Sequence, residues 1–138
     1  VNAAVLSPLT AIATDGMLQE GKGHPRTAGT YSLVLGRYVR ERGELSMSDA
    51  LRKMSLMPAQ RLQNRAPAFA KKGRLRVGFD ADITIFDPET VIDHSTYEEP
   101  TLPPTGIEHV VVGGVRIVDG GEVVEGVAPG VGVRAPLS

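Results

Sequence analysis

The chain has 138 residues, with 15 basic and 16 acidic side chains, and a net charge of −1 when its three histidines are neutral. That balance gives no electrostatic footprint for a polyanion, and aromatic residues at 4% with no Trp provide no stacking surface for single-stranded nucleic acid. The length suits one domain with one core and falls short of the roughly 250 residues of a complete TIM barrel. Zero cysteines exclude disulfides, thiolate zinc sites and cysteine nucleophiles within the chain. No stretch approaches the roughly 20 apolar residues of a membrane span. No basic run followed by an apolar run marks a signal peptide, and we expect a cytoplasmic location with no membrane or nucleic-acid partner. The opening on Val1 rather than Met, inside what reads as regular structure, suggests a piece of something longer.

In chain order, Leu9-Thr10-Ala11-Ile12-Ala13-Thr14 is a short apolar, partly β-branched run ending at Asp15-Gly16. It reads as a buried parallel strand with a carboxylate at its C-terminal end. Residues 17–30 hold Gly21, Gly23, Pro25 and Gly29 and read as a long loop, a kind of segment that is often functional. Tyr31, Val34, Leu35, Tyr38 and Val39 then form the apolar stripe of an amphipathic helix ending near Arg42, with Gly43 as its left-handed cap.

A second helix has its start signal at Ser46, with Asp49 three residues on, and carries Met47, Ala50, Leu51 and Met54 on one face as core packing. Pro58 lacks an N–H and disfavours helical geometry at Met57, which predicts a break and a new short helix over residues 58–62. From Gly73 the period shifts toward two. Asp82 to Phe86 reads as a strand closed by Asp87-Pro88, and residues 93–106 as an irregular excursion. The pair Gly113-Gly114 joins two strands in a primed turn, and Asp119-Gly120-Gly121 turns again into Glu122-Val123-Val124. The second half is thus a small antiparallel β unit.

Several candidate motifs carry no chemistry. Gly73 and Gly78 match the outer glycines of a phosphate loop, but Phe79-Asp80 stands where Lys-Ser/Thr is needed and no strand leads in. Lys71, Lys72, Arg74 and Arg76 read as a solvated turn, and Asp80 and Asp82 as residues that satisfy nearby backbone. His24, His94 and His109 match no compact metal-ligand spacing. Of the three, His24 stands out by its place in the loop just past Asp15. Asp15 itself reads either as a cap after the strand or as a functional carboxylate.

Thr14-Asp15-Gly16, the loop Gly23-His24-Pro25-Arg26, and Val34-Leu35-Gly36-Arg37-Tyr38-Val39-Arg40-Glu41 follow one another in order. They lead to Ser55-x-x-Pro58-Ala59 and Gly73-x-Leu75-x-x-Gly78-x-Asp80-Ala81-Asp82. Together these resemble the C-terminal end of N-acyl-D-amino-acid deacylases, or D-aminoacylases, of the amidohydrolase superfamily. Gly-x-Asp-Ala-Asp before an Ile-rich strand is common to the superfamily; the His-Pro-Arg loop joined to the Val-Leu-Gly-Arg-Tyr helix narrows the likeness.

The resemblance implies a fold between α/β and α+β. Residues 1–65 would be the end of a metal-dependent barrel, with residues 9–14 as its eighth strand followed by closing helices. Residues 66–138 would return to a small composite β-sandwich domain, so the barrel here would be incomplete. It also implies that Asp15 takes a proton from zinc-bound water, hands it to the leaving amine and contacts the metal. Arg26 would clamp the carboxylate of an N-acyl amino acid substrate, with His24 beside it. The family's His-x-His and metal-binding Cys have no counterpart here. We therefore expect this chain alone to bind zinc weakly or not at all and to lack deacylase activity. Its partner would be the missing barrel portion or another copy of itself, unless the chain is repacked into a compact α+β unit. The alternative function is a non-catalytic association module derived from such an enzyme.

Overall fold

A computed structural model describes residues 1–135. The first half is helical: α1 (Asn2–Leu6), α2 (Arg26–Leu33) running on into a π-helical stretch (Val34–Glu41), then α3 (Met47–Leu51), a π turn (Arg52–Leu56) and α4 (Met57–Leu62). A two-stranded hairpin, β1 (Leu18–Gln19) with β2 (Lys22–Gly23), precedes α2. The second half is a four-stranded antiparallel sheet of β3 (Ile83–Phe86), β4 (Ile107–Val112), β5 (Val115–Asp119) and β6 (Glu122–Val123), ordered as in the chain. No closed barrel is present among the described residues.

The β unit folds as its sequence predicts because its signals are local. Gly113 and Gly114 adopt φ of +56° and +82°, the pair of positive angles that lets a two-residue turn follow strand twist. Gly120 and Gly121 repeat this at +59° and +85°. Residues 93–106 lack regular structure apart from one antiparallel bridge between Ile92 and Thr105.

The helical half departs from expectation in three places. Residues 9–14 form no strand: Ile12 is buried, but its N–H donates to the Lys53 carbonyl at 3.0 Å, and Leu9 is 87% exposed. A parallel strand exists only through hydrogen bonds to neighbouring strands, and none lies beside this segment among the described residues. The α2 helix starts at Arg26 rather than Tyr31, inside the expected loop. Its first turn carries no apolar stripe, and Gly29 there meets a close neighbour instead of marking a turn. Tyr31, placed on the apolar face from its spacing, is half-exposed, while Val34, Leu35 and Tyr38 are buried. Finally, helical backbone runs through Met57 (φ −61°, ψ −49°) without the break expected before Pro58. The wider π turn ahead of Pro58 is the kind of local adjustment that accommodates a residue unable to donate.

Other signals hold. Ser46 caps α3, its Oγ accepting from the Asp49 N–H at 3.1 Å and donating to the Asp49 carboxylate at 2.7 Å. Gly43 takes a φ of +60° after the first long helix. The core gathers Ile12, Val34, Leu35, Ala50 and Val91, with Met47 and Met54 packed against it, so residues of both halves meet in it. Arg40 reinforces that contact, donating to the Val91 carbonyl at 2.6 Å.

Candidate functional site

The segment after Ile12 runs to Asp15, which holds a left-handed φ of +45°, and a hydrogen bond from the Gly16 N–H to Thr14 Oγ1 at 3.3 Å bends the chain there. The β1–β2 hairpin carries the backbone out and back, and Pro25 starts α2 with Arg26 in its first turn. Arg26 thereby faces Asp15. Its Nε donates to the Asp15 carbonyl at 3.0 Å, and its Nη2 reaches the Asp15 carboxylate at 3.3 Å. The Asp15 side chain is 94% exposed and that of Arg26 45%, so this pair positions groups more than it stabilises the fold.

His24 lies against the same turn. Its Nδ1 accepts from the Arg26 N–H at 3.1 Å, which assigns the proton of the neutral ring to Nε2, 3.0 Å from the Tyr97 hydroxyl. The two rings meet edge to face, 5.0 Å between centroids. All three residues predicted from the sequence therefore fall together, and His24 and Arg26 line a cleft of about 660 Å³ floored by Ile12 and walled by Thr30 and Tyr97. The hydroxyl of Thr27, next to Arg26, is buried without a hydrogen-bond partner among the described residues.

Sequence reasoning missed the cleft's far wall, which comes from the excursion of residues 93–106. Asp93 Oδ1 accepts from the Ser95 N–H at 2.8 Å, and the Ser95 hydroxyl lies 2.7 Å from that oxygen and 2.9 Å from the Pro25 carbonyl. Asp93 packs directly over Gly29 of α2, where a Cβ would collide with its carboxylate. The signal was available in Asp93-x-Ser95, a local turn pattern, but its docking site lies some 70 residues earlier in the chain.

The other candidates serve the fold. Lys72 pairs with both Asp82 and Asp80, the latter at 3.0 Å, and Asp82 also accepts from the Gly113 N–H at 2.8 Å. The Lys72 hydrogen bond and then the Gly113 N–H hold the Asp82 carboxyl below its usual range, while Asp82 and Asp80 raise Lys72. Arg74 donates to the Ala70 and Lys72 carbonyls and to Gln63, and Arg76 stacks over Phe79. His94 bonds Thr105, and His109 meets Asp119 at 3.0 Å across the β4–β5 pair. No three His, Cys, Asp or Glu side chains among the described residues approach closely enough to hold a metal ion. Asp15 offers one carboxylate, already paired with Arg26, where a catalytic zinc usually takes three protein ligands. The residues present do not by themselves fit such a metal.

Residues 2–118 match the amidohydrolase family, and the chain belongs to that family. It is 42% identical over 106 residues to an N-acyl-D-glutamate deacylase of Alcaligenes xylosoxydans xylosoxydans, an alignment covering 77% of this chain and 21% of that one. It is 38% identical to a D-aminoacylase of the same organism, covering 78% and 21%. Among solved structures it resembles the N-acyl-D-glutamate deacylase of Bordetella bronchiseptica, complexed with zinc and a phosphonate inhibitor that mimics the tetrahedral intermediate. That match has a TM-score of 0.74 at 38% identity and covers 81% of this chain and 23% of the other. A D-aminoacylase with a binuclear metal center matches with a TM-score of 0.80 at 32% identity, covering 88% and 25%. The chain spans about a fifth of the length of the curated relatives it matches.

Proposed function

We propose that this chain forms the Asp15–Arg26 edge of the active site of a zinc-dependent deacylase of N-acyl-D-amino acids. Residues 1–65 would belong to the barrel end and residues 66–138 to the β domain. The observation that carries this reading is the pairing of Asp15 with Arg26, which lines one cleft together with His24, in a chain whose relatives are named for such deacylations. Zinc, held mostly by residues outside this chain, would supply an acidified water and a polarised carbonyl.

The chain's own residues would act on protons and charge. An exposed carboxylate at Asp15 accepts a proton from the attacking water and returns it to the leaving amine, which an amide needs because its amine leaves poorly unprotonated. Arg26 now gives Nε to a backbone carbonyl and Nη2 to Asp15 at a long 3.3 Å. Turning its Nη1–Nη2 edge to a substrate carboxylate would make two parallel bonds and select N-acyl amino acids over neutral amides. His24 and Tyr97 wall that pocket. The partners in this reading are the substrate and the missing barrel portion, or another copy of the chain, in a cytoplasmic setting.

In the complete enzyme, Asp15→Asn is expected to abolish hydrolysis of N-acetyl-D-amino acids, and Arg26→Ala to raise KM far more than it lowers kcat. The 138-residue chain alone should bind zinc weakly and hydrolyse nothing. Robust zinc-dependent hydrolysis by the isolated chain would overturn the proposal. A second reading, a non-catalytic association module, draws support from apolar side chains left in the open: Leu9 and Leu75 are each 87% exposed and Val77 99%. Full activity of the Asp15→Asn enzyme would favour it.

A further inference from the structure

Among the described residues, Lys53 is the one charged side chain that is buried, at 2% exposure. It lies in the π turn Arg52–Leu56, and among the described residues no carboxylate pairs with it. Its ammonium donates instead to the Ser7 carbonyl, to the Thr10 carbonyl at 2.8 Å and to Thr10 Oγ1 at 3.2 Å. All three ammonium protons thus have acceptors within residues 7–10, two carbonyls and one hydroxyl. The residue's own carbonyl accepts the Ile12 N–H at 3.0 Å, so Lys53 grips the same stretch a second time from its main chain. Burial pushes the ammonium below its usual pKa, with Arg52 adding to the effect and Asp49 opposing it.

A methionine would fill this space without desolvating a charge, so packing alone does not call for a lysine here. What the ammonium adds is direction. Among the described residues no strand lies beside residues 7–12 to set their course, and they lead on to Asp15. We propose that Lys53 is a positioning residue, fixing the Ser7–Ile12 stretch against the α3–α4 helix so that Asp15 is presented in one place to Arg26, which lines the cleft. The link to catalysis rests on the reading of Asp15 above; the pinning itself does not.

The test is Lys53→Met, followed first by amide hydrogen exchange in the 138-residue chain. Loss of a charged hydrogen-bond anchor is expected to speed exchange at Ile12 by about tenfold or more while Ala50, bonded to Ser46 within α3, is unchanged. In the complete enzyme the same change should lower kcat by about tenfold with KM and bound zinc unaltered. Parallel acceleration at Ile12 and Ala50, no change at either, or an unaltered kcat would each refute the proposal. Should the methionine variant fail to fold, Lys53→Gln keeps a donor on a shorter side chain; it should speed Ile12 exchange by a smaller factor, and no change would count against the pinning. If Asp15→Asn enzyme stays active, the reading of Asp15 fails while the exchange at Ile12 still reports on Lys53.

Discussion

Gly29 offers a direct test of how the cleft is held together. In the interior of α2, replacing Gly by Ala should gain about 1 kcal/mol from helix propensity alone. Here the new Cβ would strike the Asp93 carboxylate, and a crowding cost of about 1–3 kcal/mol is typical of a methyl forced into filled space. Moving Asp93 away also breaks its bonds with Ser95, which also touches the Pro25 carbonyl, at about 1 kcal/mol net. The sum predicts a Gly29→Ala chain about 1–3 kcal/mol less stable than the parent. Urea unfolding at neutral pH would measure it. A double-mutant cycle with Asp93→Ala isolates the collision: once the carboxylate is gone, Gly29→Ala should cost at least about 1 kcal/mol less than it does alone. A Gly29→Ala chain more stable than the parent, or strict additivity with Asp93→Ala, would show that α2 and the excursion are not coupled in this way.

Three further outcomes follow from the same structure. Because the Asp82 pKa is depressed below 3.8 in the fold, its contribution is present above that pH and lost as pH falls through the folded value; Lys72, raised above 10.5, contributes below that pH and loses its contribution as pH rises through the folded value. Asp82→Asn should therefore cost about 1 kcal/mol at pH 7, discounted for part exposure, and flatten the fall in urea midpoint between neutral and acid pH. Ser46→Ala removes the α3 cap and should cost about 1 kcal/mol, read as a lowered thermal midpoint. Gly114→Ala, forced to a φ of +82°, should cost about 1 kcal/mol or more by the same measurement, although nothing lies near its Cβ position.

How far the fold was legible depended on how locally each element is decided. The β4–β5 hairpin and the Ser46 cap are settled within a few residues, and both form where the sequence puts them. Residues 9–14 carry the composition of a buried strand, but pairing is a property of neighbours and the described residues provide none. Gly29 reads as loop beside Gly21, Gly23 and Pro25, yet it lies in a helix and leaves room for a residue 64 positions later in the chain. The candidate site divides in the same way. Asp15 and His24 stand out by their place at the end of an apolar run and in the loop after it, and Arg26 through the family resemblance, whereas Asp93, Ser95 and Tyr97 reach the cleft only through tertiary packing.

The left-handed turn at Asp15 sets how evolution and experiment can treat that position. At a φ of +45° most side chains carry a steric penalty of about 1 kcal/mol, which Asp and Asn bear better than the rest and Gly escapes. Asp15→Asn therefore removes charge with little change in backbone comfort. Asp15→Gly should make the chain more stable while deleting the carboxylate, and Asp15→Glu, nominally the conservative change, should combine strain with a longer reach. The fold would be more comfortable with glycine than with the acid it carries, so a search for thermally hardened variants of this chain would tend to erase the very group on which the proposed chemistry rests.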